Sequence, residues 1–256
     1  MFLCPNAKIN IGLRVGNTRP DGYHNIETVF FPIPRLTDEL IIEESAEPTR
    51  LIIEGIPVDC PTDNNLVMRV YRAMRERYNI GNVTIRLKKR IPFGAGLGGG
   101  SSDAAFTAKG LNELFHLGLS QDELARIVAP LGADCPFFVY NRPMFAQGIG
   151  DKLTPLDLDL SDYDIQLVKP ADVSVSTAAA YREVKTETLD GSLVRNVLLP
   201  VAQWRNTVFN AFEQSVFPHY PAIAQAKEQF YSNGAVYASM TGTGAAVFAL
   251  FEKEKN

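Results

Sequence analysis

The centre of the chain reads Ile91-Pro92-Phe93-Gly94-Ala95-Gly96-Leu97-Gly98-Gly99-Gly100-Ser101-Ser102-Asp103. Five glycines fall within the seven positions from Gly94 to Gly100, between a segment with a strand pattern and a segment with a helix pattern. Glycine lets successive backbone N–H groups point into one concavity, and the start of the following helix adds free donors and a partial positive charge. The stretch therefore predicts a phosphate-binding loop rather than a flexible connector.

Glycines alone do not decide which class of phosphate-binding loop this is. Gly94, Gly96 and Gly99 satisfy the dinucleotide fingerprint GxGxxG. However, the preceding segment is mostly β, and the region about twenty residues further on has a helical pattern instead of a strand ending in a ribose-binding acid. The sequence contains no GxxxxGKS/T, HRD or DFG motif, which excludes a Walker loop and a protein kinase. A nucleoside triphosphate loop of another design remains.

Residues before the loop have mainly strand patterns, with one helix among them. Runs of β-branched and aromatic residues between Gly, Pro and Asp breaks predict strands at 8–15, 26–33, 39–44 and 50–54. Apolar residues at helical spacing predict a helix over 65–78. Val83, Ile85 and Leu87 alternate with polar residues, as in a half-buried strand that runs directly into the loop.

Residues after the loop mix helices and strands, so the predicted fold class is α+β. A helix is predicted over 101–117, and Ser120 with Glu123 forms a capping box that opens another helix. Further helices are predicted at 177–184, 206–217 and 221–232, and strands at 164–169 and on both sides of 241–244.

The composition excludes several classes of protein. Of the 256 residues, 46% are hydrophobic and 21% are charged, which fits a folded core and not a disordered, collagenous or coiled-coil chain. The net charge is −4, so no general attraction to nucleic acid or to an anionic membrane is expected. The N-terminus lacks a signal-peptide pattern, and no apolar run reaches the roughly 18 residues of a membrane span. A cytoplasmic protein is therefore expected.

The cysteines give no sign of a covalent framework. Cys4, Cys60 and Cys135 are odd in number and far apart, which favours neither a disulfide scaffold nor a zinc site. Cys135 could act as a nucleophile with a histidine as base, but nothing in the sequence pairs it with one. A small buried thiol is the favoured interpretation.

Three stretches in order along the chain resemble the motifs of the GHMP kinases, the family that includes galactokinase, homoserine kinase and mevalonate kinase. They lie at 7–11, 92–105 and 240–248. The resemblance implies a two-lobe α+β kinase, with an N-terminal ATP-binding lobe similar to ribosomal S5 domain 2 and a ferredoxin-like C-terminal lobe.

A shift in composition around 148–163 places the predicted boundary between lobes 1–155 and 156–256. The sequence ends twelve residues after Gly244, where members of this family usually continue. The second lobe is therefore expected to be shortened at its end.

The stretches 21–24 (Asp-Gly-Tyr-His) and 131–138, with the triple glycine, resemble a narrower group within the family. The acceptor of that group is a cytidine diphosphate derivative of a methylated sugar alcohol, and the resemblance implies transfer of the γ-phosphate of ATP to its 2-hydroxyl. Neither nucleic acid nor a membrane is an expected partner, and the expected assembly is a monomer or a weak homodimer. Mg²⁺ is expected with ATP. The sequence shows no pair of acidic residues that would bind the ion, so Ser101 or Ser102 is the candidate contact.

Two residues carry the chemistry that the resemblance implies. Asp134 is expected to be the general base that accepts the proton of the acceptor hydroxyl, and Lys8 is expected to be its cationic partner. A cation there would polarise the hydroxyl and offset charge on the phosphoryl group. On the residues alone, Asp134 is a loop aspartate that caps a turn, and Lys8 lies on the solvated face of a strand.

The resemblance also assigns binding residues. Contacts with ATP are predicted for the glycine loop and for two residues near the adenine, namely Pro92, Phe93, Gly94, Ala95, Gly96, Leu97, Gly98, Gly99, Gly100, Ser101, Ser102, Asn65 and Lys89. On the residues alone, Asn65 is a helix cap and Lys89 is a surface lysine. The stretch 241–244 is a hairpin turn on its own, whereas in the family it lies near the glycine loop.

Contacts with the acceptor are predicted for Asn10, Tyr23, His24 and Phe30. Tyr23 is expected to stack on the cytosine, His24 to bond its polar edge and Phe30 to close the pocket, although on the residues alone Tyr23 and His24 belong to a plain turn. An aromatic partner of Tyr23 is expected from 207–212, where Val208 and Phe209 compete.

Three other functions stay open at this point. The chain could be another GHMP small-molecule kinase, such as one that acts on homoserine. It could be a nucleotide-binding regulator that keeps the glycine loop without the chemistry. It could also be an NAD-binding oxidoreductase, which predicts binding of a nicotinamide dinucleotide.

Overall fold

The computed structural model describes residues 1–58 and 60–254, which form two compact units. The first unit consists of Met1–Lys8, Pro32–Phe93 and Gly98–Arg142, and the second of Ile9–Phe31, Gly94–Leu97 and Pro143–Asn256. The chain enters each unit more than once, which a shift in composition along the sequence cannot indicate. The predicted lobe boundary at residue 155 stays a prediction.

Five strands begin the chain, and runs of helices and strands follow them. The strands are β1 (Phe2–Leu3), β2 (Asn6–Thr18), β3 (His24–Thr37), β4 (Glu39–Glu44), β5 (Arg50–Gly55), β6 (Val83–Lys89), β7 (Met144–Gln147), β8 (Lys152–Pro155), β9 (Tyr163–Val168), β10 (Tyr237–Met240) and β11 (Val247–Glu252). The helices are α1 (Leu66–Tyr78), α2 (Gly99–Leu114), α3 (Gln121–Val128), α4 (Cys135–Tyr140), α5 (Thr177–Glu183), α6 (Ser192–Val197), α7 (Glu213–Val216) and α8 (Pro221–Ser232).

A four-stranded sheet of order β1-β4-β6-β5 forms the first unit together with α1 to α4. The strand β6 is antiparallel to β4 and parallel to β5, and Val83, Ile85 and Leu87 are buried on one of its faces. The helix α2 packs against α1, α4 and β4, with a stripe of buried residues that includes Ala104, Ala108 and Leu111. The unit therefore fixes the strand that enters the glycine loop and the helix that leaves it.

Two further sheets, β2-β3-β7-β8 and β10-β11-β9, belong mainly to the second unit. Its largest buried side chain, Trp204, packs edge-on against Tyr237 and donates from its indole N–H to the Leu199 carbonyl oxygen at 2.9 Å. Residues from β2, α7, α8 and β11 share one apolar cluster, which includes Leu13, Phe212 and Val247. This core joins the third motif to β2.

The structure confirms the α+β class and most predicted elements. The strand at 39–44, the capping box at Ser120 and the helix at 221–232 lie where they are predicted. The short elements β1, β7, β8, α4 and α6 are not predicted from the sequence. Each has six residues or fewer, which is too few to repeat a hydrophobic period often enough for the pattern to identify it.

The helix predicted over 206–217 is wrong in its first part, since only Glu213–Val216 is α-helical. The preceding residues run beside β2 instead: the Leu13 N–H donates to the Phe209 carbonyl at 3.0 Å, and the Ala211 N–H donates to the Leu13 carbonyl at 2.8 Å. Leu13 and Asn210 form a parallel bridge between them. A tertiary contact therefore replaces the local structure that the spacing favours.

Two composition-based expectations can be checked against the part of the chain that the structure describes. None of its helices is long and apolar enough to cross a membrane. Cys135 is buried, and burial raises the pKa of its thiol to about 11. The interpretation of Cys135 as a small buried thiol is confirmed, because a thiol with this pKa is a poor nucleophile near neutral pH.

Candidate active site

The glycine loop contains three left-handed residues at alternate positions. Gly94, Gly96 and Gly98 have φ angles of 63°, 75° and 71°, a region that side-chain-bearing residues rarely adopt. Gly98 is the N-cap of α2, which is 16 residues long. The first N–H groups of such a helix have no partner within it, so they are free to bind an anion.

Gly98 is also a point of close packing. A Cβ atom added there would lie 2.8 Å from Cζ of Phe138 and 3.1 Å from Cγ of Lys8. The start of α2 therefore rests directly on a residue of α4 and on the lysine of the first motif. Glycine is required here by both the backbone conformation and the space.

Lys8 and Asp134 are far apart in sequence and meet in the first unit. The Lys8 Nζ atom lies 3.5 Å from the Asp134 Oδ2 atom, and the side chains are 4% and 33% exposed, respectively. Burial lowers the pKa of Lys8, while the charge of Asp134 opposes this shift. A buried ammonium therefore lies beside a carboxylate that solvent and a substrate can reach.

The interpretations of these two residues without the resemblance are wrong. Lys8 is buried and does not lie on a solvated strand face. Asp134 precedes α4, but its side chain makes no capping hydrogen bond. Both side chains are instead oriented toward each other, which is the arrangement that a proton acceptor and its cationic partner need.

Lys89 lies in a buried ionic cluster, here called the loop-base cluster, with Asp38 and Asp103. Its ammonium donates to Asp103 Oδ2 at 2.6 Å and to Asp38 Oδ2. Burial opposes the charge of Lys89, but both carboxylates outweigh it and raise its pKa. Burial raises the pKa of Asp103 to about 7, Lys89 opposes this shift, and Asp38 adds to it.

The interpretation of Lys89 as a surface lysine is therefore wrong, and its predicted contact with the adenine stays a prediction. A signal for its burial is present in the sequence. Lys89 follows Val83, Ile85 and Leu87 at period two, on the buried face of β6.

The third motif contacts the glycine loop within the second unit. The Thr241 hydroxyl donates to the Gly96 carbonyl at 3.2 Å, and the Ala246 N–H donates to the Ala95 carbonyl at 3.2 Å. The prediction that 241–244 lies near the loop is confirmed. The same residues also join the antiparallel strands β10 and β11, as a hairpin turn would.

Asn10 is tied to the same turn. Its backbone N–H donates to the Thr241 hydroxyl at 2.9 Å, and its side-chain amide donates to the Thr28 hydroxyl at 3.0 Å. The side chain is buried. Its predicted contact with the acceptor stays a prediction.

An aromatic cluster lies elsewhere in the second unit. The His24 ring stacks on Tyr181 of α5 at 5.4 Å, and its Nδ1 atom lies 2.9 Å from the Gly16 carbonyl oxygen. Tyr23 is 62% exposed, whereas Phe30 is buried in β3. The acceptor contacts predicted for these residues stay predictions.

Tyr181, which stacks on His24, is an aromatic residue of this cluster that the sequence analysis does not name. Phe212 packs edge-on against it at 4.8 Å. The aromatic partner of Tyr23 expected from 207–212 stays a prediction, and of its two candidates Val208 is buried and Phe209 is 45% exposed. The sequence carries one signal for Tyr181, its place on the predicted helix over 177–184.

Among residues 1–58 and 60–254, no group of three or more His, Cys, Asp or Glu side chains is placed to hold a metal ion. The first turn of α2 offers hydroxyl groups instead. Ser102 Oγ is buried and has no hydrogen-bond partner among the described residues. The Ser101 side chain bonds the Cys135 thiol and is only partly buried.

Asn65 is a helix cap, as its sequence position favours. Its Oδ1 atom accepts the Val67 N–H at 3.0 Å at the start of α1. We expect Asn65→Ala to lower the free energy of unfolding by about 1 kcal/mol and Asn65→Asp to leave it nearly unchanged, since aspartate keeps the acceptor. Urea denaturation checks both values. An equal rise in the KM for ATP in both variants would show that the amide also binds the nucleotide.

Two family models and several known proteins are similar to this chain. The family model described as the N-terminal domain of GHMP kinases matches residues 65–142, and the model for the C-terminal domain matches 201–256. A 4-diphosphocytidyl-2-C-methyl-D-erythritol kinase of Parabacteroides distasonis is 51% identical over 99% of this chain and 92% of its own length. A protein of the same name from Bacteroides fragilis is 48% identical over 100% of this chain and 93% of its own.

Solved structures show the same similarity. A crystal structure of 4-(cytidine 5'-diphospho)-2C-methyl-D-erythritol kinase superposes with a TM-score of 0.81 at 32% identity, covering 98% of this chain and 90% of that one. Homoserine kinase from Cytophaga hutchinsonii superposes with a TM-score of 0.71 at 16% identity, covering 97% of this chain and 85% of that one. The second likeness concerns the fold alone.

Proposed function

This chain belongs to the GHMP kinase family, and we propose that it transfers the γ-phosphate of ATP to the 2-hydroxyl of 4-diphosphocytidyl-2-C-methyl-D-erythritol. The product is the 2-phosphate, an intermediate of non-mevalonate isoprenoid biosynthesis. The observation that carries the proposal is the contact between Lys8 and Asp134 beside Gly98, at the start of a helix that follows a glycine loop.

The donor is held by backbone groups in this proposal. The triphosphate of ATP binds the free N–H groups at the start of α2, where the helix dipole favours negative charge. Gly99 and Gly100 keep this turn bare of side chains, so the phosphate oxygens can approach the backbone closely. Ser101 and Ser102 follow in the same turn.

The acceptor reacts beside Asp134. The oxygen of the 2-hydroxyl forms a bond with the γ-phosphorus, the bond from that phosphorus to the β–γ bridging oxygen breaks, and ADP leaves. The hydroxyl proton passes to the Asp134 carboxylate, which is the partly exposed member of the pair. The Lys8 ammonium offsets negative charge on the transferring group, and it acts strongly because it is buried.

The donor set of the first turn fits Mg²⁺ as a companion of ATP. Mg²⁺ prefers oxygen ligands and keeps several waters, and Ser101 is the partly exposed serine of this turn. When bound, the ion would neutralise charge on the phosphate oxygens.

The cytosine base of the acceptor is assigned to Tyr23 and His24 in this proposal. Tyr23 offers an exposed ring, and His24 stacked on Tyr181 offers a preformed aromatic surface with a polar edge. Asn10, two residues after Lys8, is assigned to the sugar alcohol.

Use of ATP fits a cytoplasmic location, and we propose a monomer or a weak homodimer.

The test is an acceptor comparison with the purified chain. ATP and Mg²⁺ are supplied with the cytidyl diphosphate substrate, with homoserine or with mevalonate, and the product is located by phosphorus NMR. We expect turnover of the cytidyl compound alone, with the new phosphate on the 2-hydroxyl. Turnover of homoserine in its place would overturn the acceptor, and tight binding of NAD without any phosphotransfer would overturn the kinase.

A further inference from the structure

The loop-base cluster joins three separate segments of the first unit. Lys89 is the last residue of β6, Asp38 directly precedes β4, and Asp103 lies in the early part of α2. One Asp38 oxygen bonds the Lys89 ammonium, and the other accepts the N–H groups of Arg90 at 2.5 Å and Ile91 at 2.9 Å. The strand end that enters the glycine loop is therefore fixed from both its backbone and its side chain.

The same ammonium reaches the helix that leaves the loop. It donates to Asp103 Oδ2 at 2.6 Å, and a Cβ atom added to Gly99 would lie 3.3 Å from it. The helix begins with Gly99 and Gly100, which have no side chains to anchor the first turn. Asp103 is the first charged side chain of the helix and is buried, so its bond to Lys89 supplies the anchor that the glycines cannot.

Burying three charged side chains costs free energy, so this cluster is a poor source of folding stability. All three side chains are at most 6% exposed, and they comprise two acids and one base. The Asp103 Oδ1 atom is buried without a hydrogen-bond partner among the described residues. Apolar residues commonly stabilise such a position as well as an ion cluster does, so the presence of three charged groups there points to a role in fixing geometry.

We propose that Lys89, Asp38 and Asp103 are positioning residues for ATP: they clamp the two ends of the glycine loop and hold the first turn of α2 ready for the triphosphate. This inference rests on the proposed function, since the turn needs this geometry only if it binds ATP. Holding the N–H groups in place beforehand removes part of the ordering cost of binding. Loss of the clamp therefore weakens ATP binding and leaves the Asp134 chemistry intact.

The informative variant is Asp103→Ala, which opens the clamp and leaves Lys89 paired with Asp38. We expect the KM and the dissociation constant for ATP to rise about tenfold, with kcat and the KM for the acceptor within about twofold of wild type. Asp103→Asn keeps an oxygen that can accept from Lys89 and should restore ATP binding to within about threefold.

Thr107→Ala is the matched control. Its hydroxyl donates to the Asp103 backbone carbonyl at 2.7 Å inside the same helix, so the substitution leaves the three charged side chains of the cluster and the bonds between them in place. We expect a lower Tm without a change in the KM for ATP. An unchanged KM in Asp103→Ala, or an equal rise in Thr107→Ala, would overturn the clamp. Calorimetry measures ATP binding directly, so it tests the clamp even if wild type fails to phosphorylate the acceptor. Failure to phosphorylate the acceptor would overturn the proposed function and not the clamp.

Discussion

Replacing Asp134 by asparagine is expected to lower kcat at least about 100-fold while the dissociation constant for ATP stays within about threefold of wild type. Asparagine has nearly the shape of aspartate but cannot accept the hydroxyl proton. The Asp134 side chain makes no capping hydrogen bond, so the substitution removes no support from α4. Rapid-quench measurement of phosphate transfer and calorimetry with ATP give the two quantities separately.

The control for this variant is Asp157→Asn, which removes one negative charge from an exposed position. It should leave both kcat and ATP binding unchanged. If Asp134→Asn also retained most of the wild-type kcat, Asp134 would not be the general base. A regulator that only binds nucleotide would transfer no phosphate even as wild type and would bind ATP equally well in both forms, so the wild-type rate separates the two functions.

Gly98→Ala is expected to lower kcat/KM for ATP about 100-fold. The new Cβ atom would strain the left-handed backbone and press on Phe138 and Lys8, at 2.8 Å and 3.1 Å. Relief of this clash must move the start of α2, the α4 ring or the lysine. Each shift misplaces either the triphosphate or the ammonium, and steady-state kinetics with varied ATP measures the loss.

Gly118→Ala is the control that separates the effect of backbone strain from the effect of the steric clash at Gly98. Gly118 also has a left-handed φ, 67°, but a Cβ atom added there would meet nothing within 4 Å. Both variants should lose about 1–2 kcal/mol of unfolding free energy from backbone strain, whereas only Gly98→Ala should lose activity. Equal activities in the two variants would show that the packing around Gly98 has no part in ATP use.

Local patterns predict the parts of this fold whose formation is local. The alternation in β6, the Asn65 cap and the Ser120 capping box all depend on neighbours within a few residues, and all are present. The stretch before Glu213 is different. Its helical spacing is overridden by backbone hydrogen bonds to Leu13, a partner that no local pattern indicates.

The same distinction between local and tertiary features applies to the candidate site. The glycine loop and the helix that follows it can be predicted from residue types alone. The approach of Lys8 to Asp134 is not, because their spacing in sequence carries no information about distance, and it was expected only through the family motifs. Lys89 lies between these cases, since its period-two position indicated burial while its partners Asp38 and Asp103 depend on the tertiary fold.

The decisive measurement is a double-variant cycle of Lys8→Met and Asp134→Asn, read as the single-turnover rate of γ-phosphate transfer with both substrates saturating. If the buried ammonium and the carboxylate 3.5 Å away act together on one hydroxyl, the double variant should be no more than about threefold slower than the slower single variant. Losses that multiply in full would show that the two residues act independently, and the proposed mechanism would then be wrong.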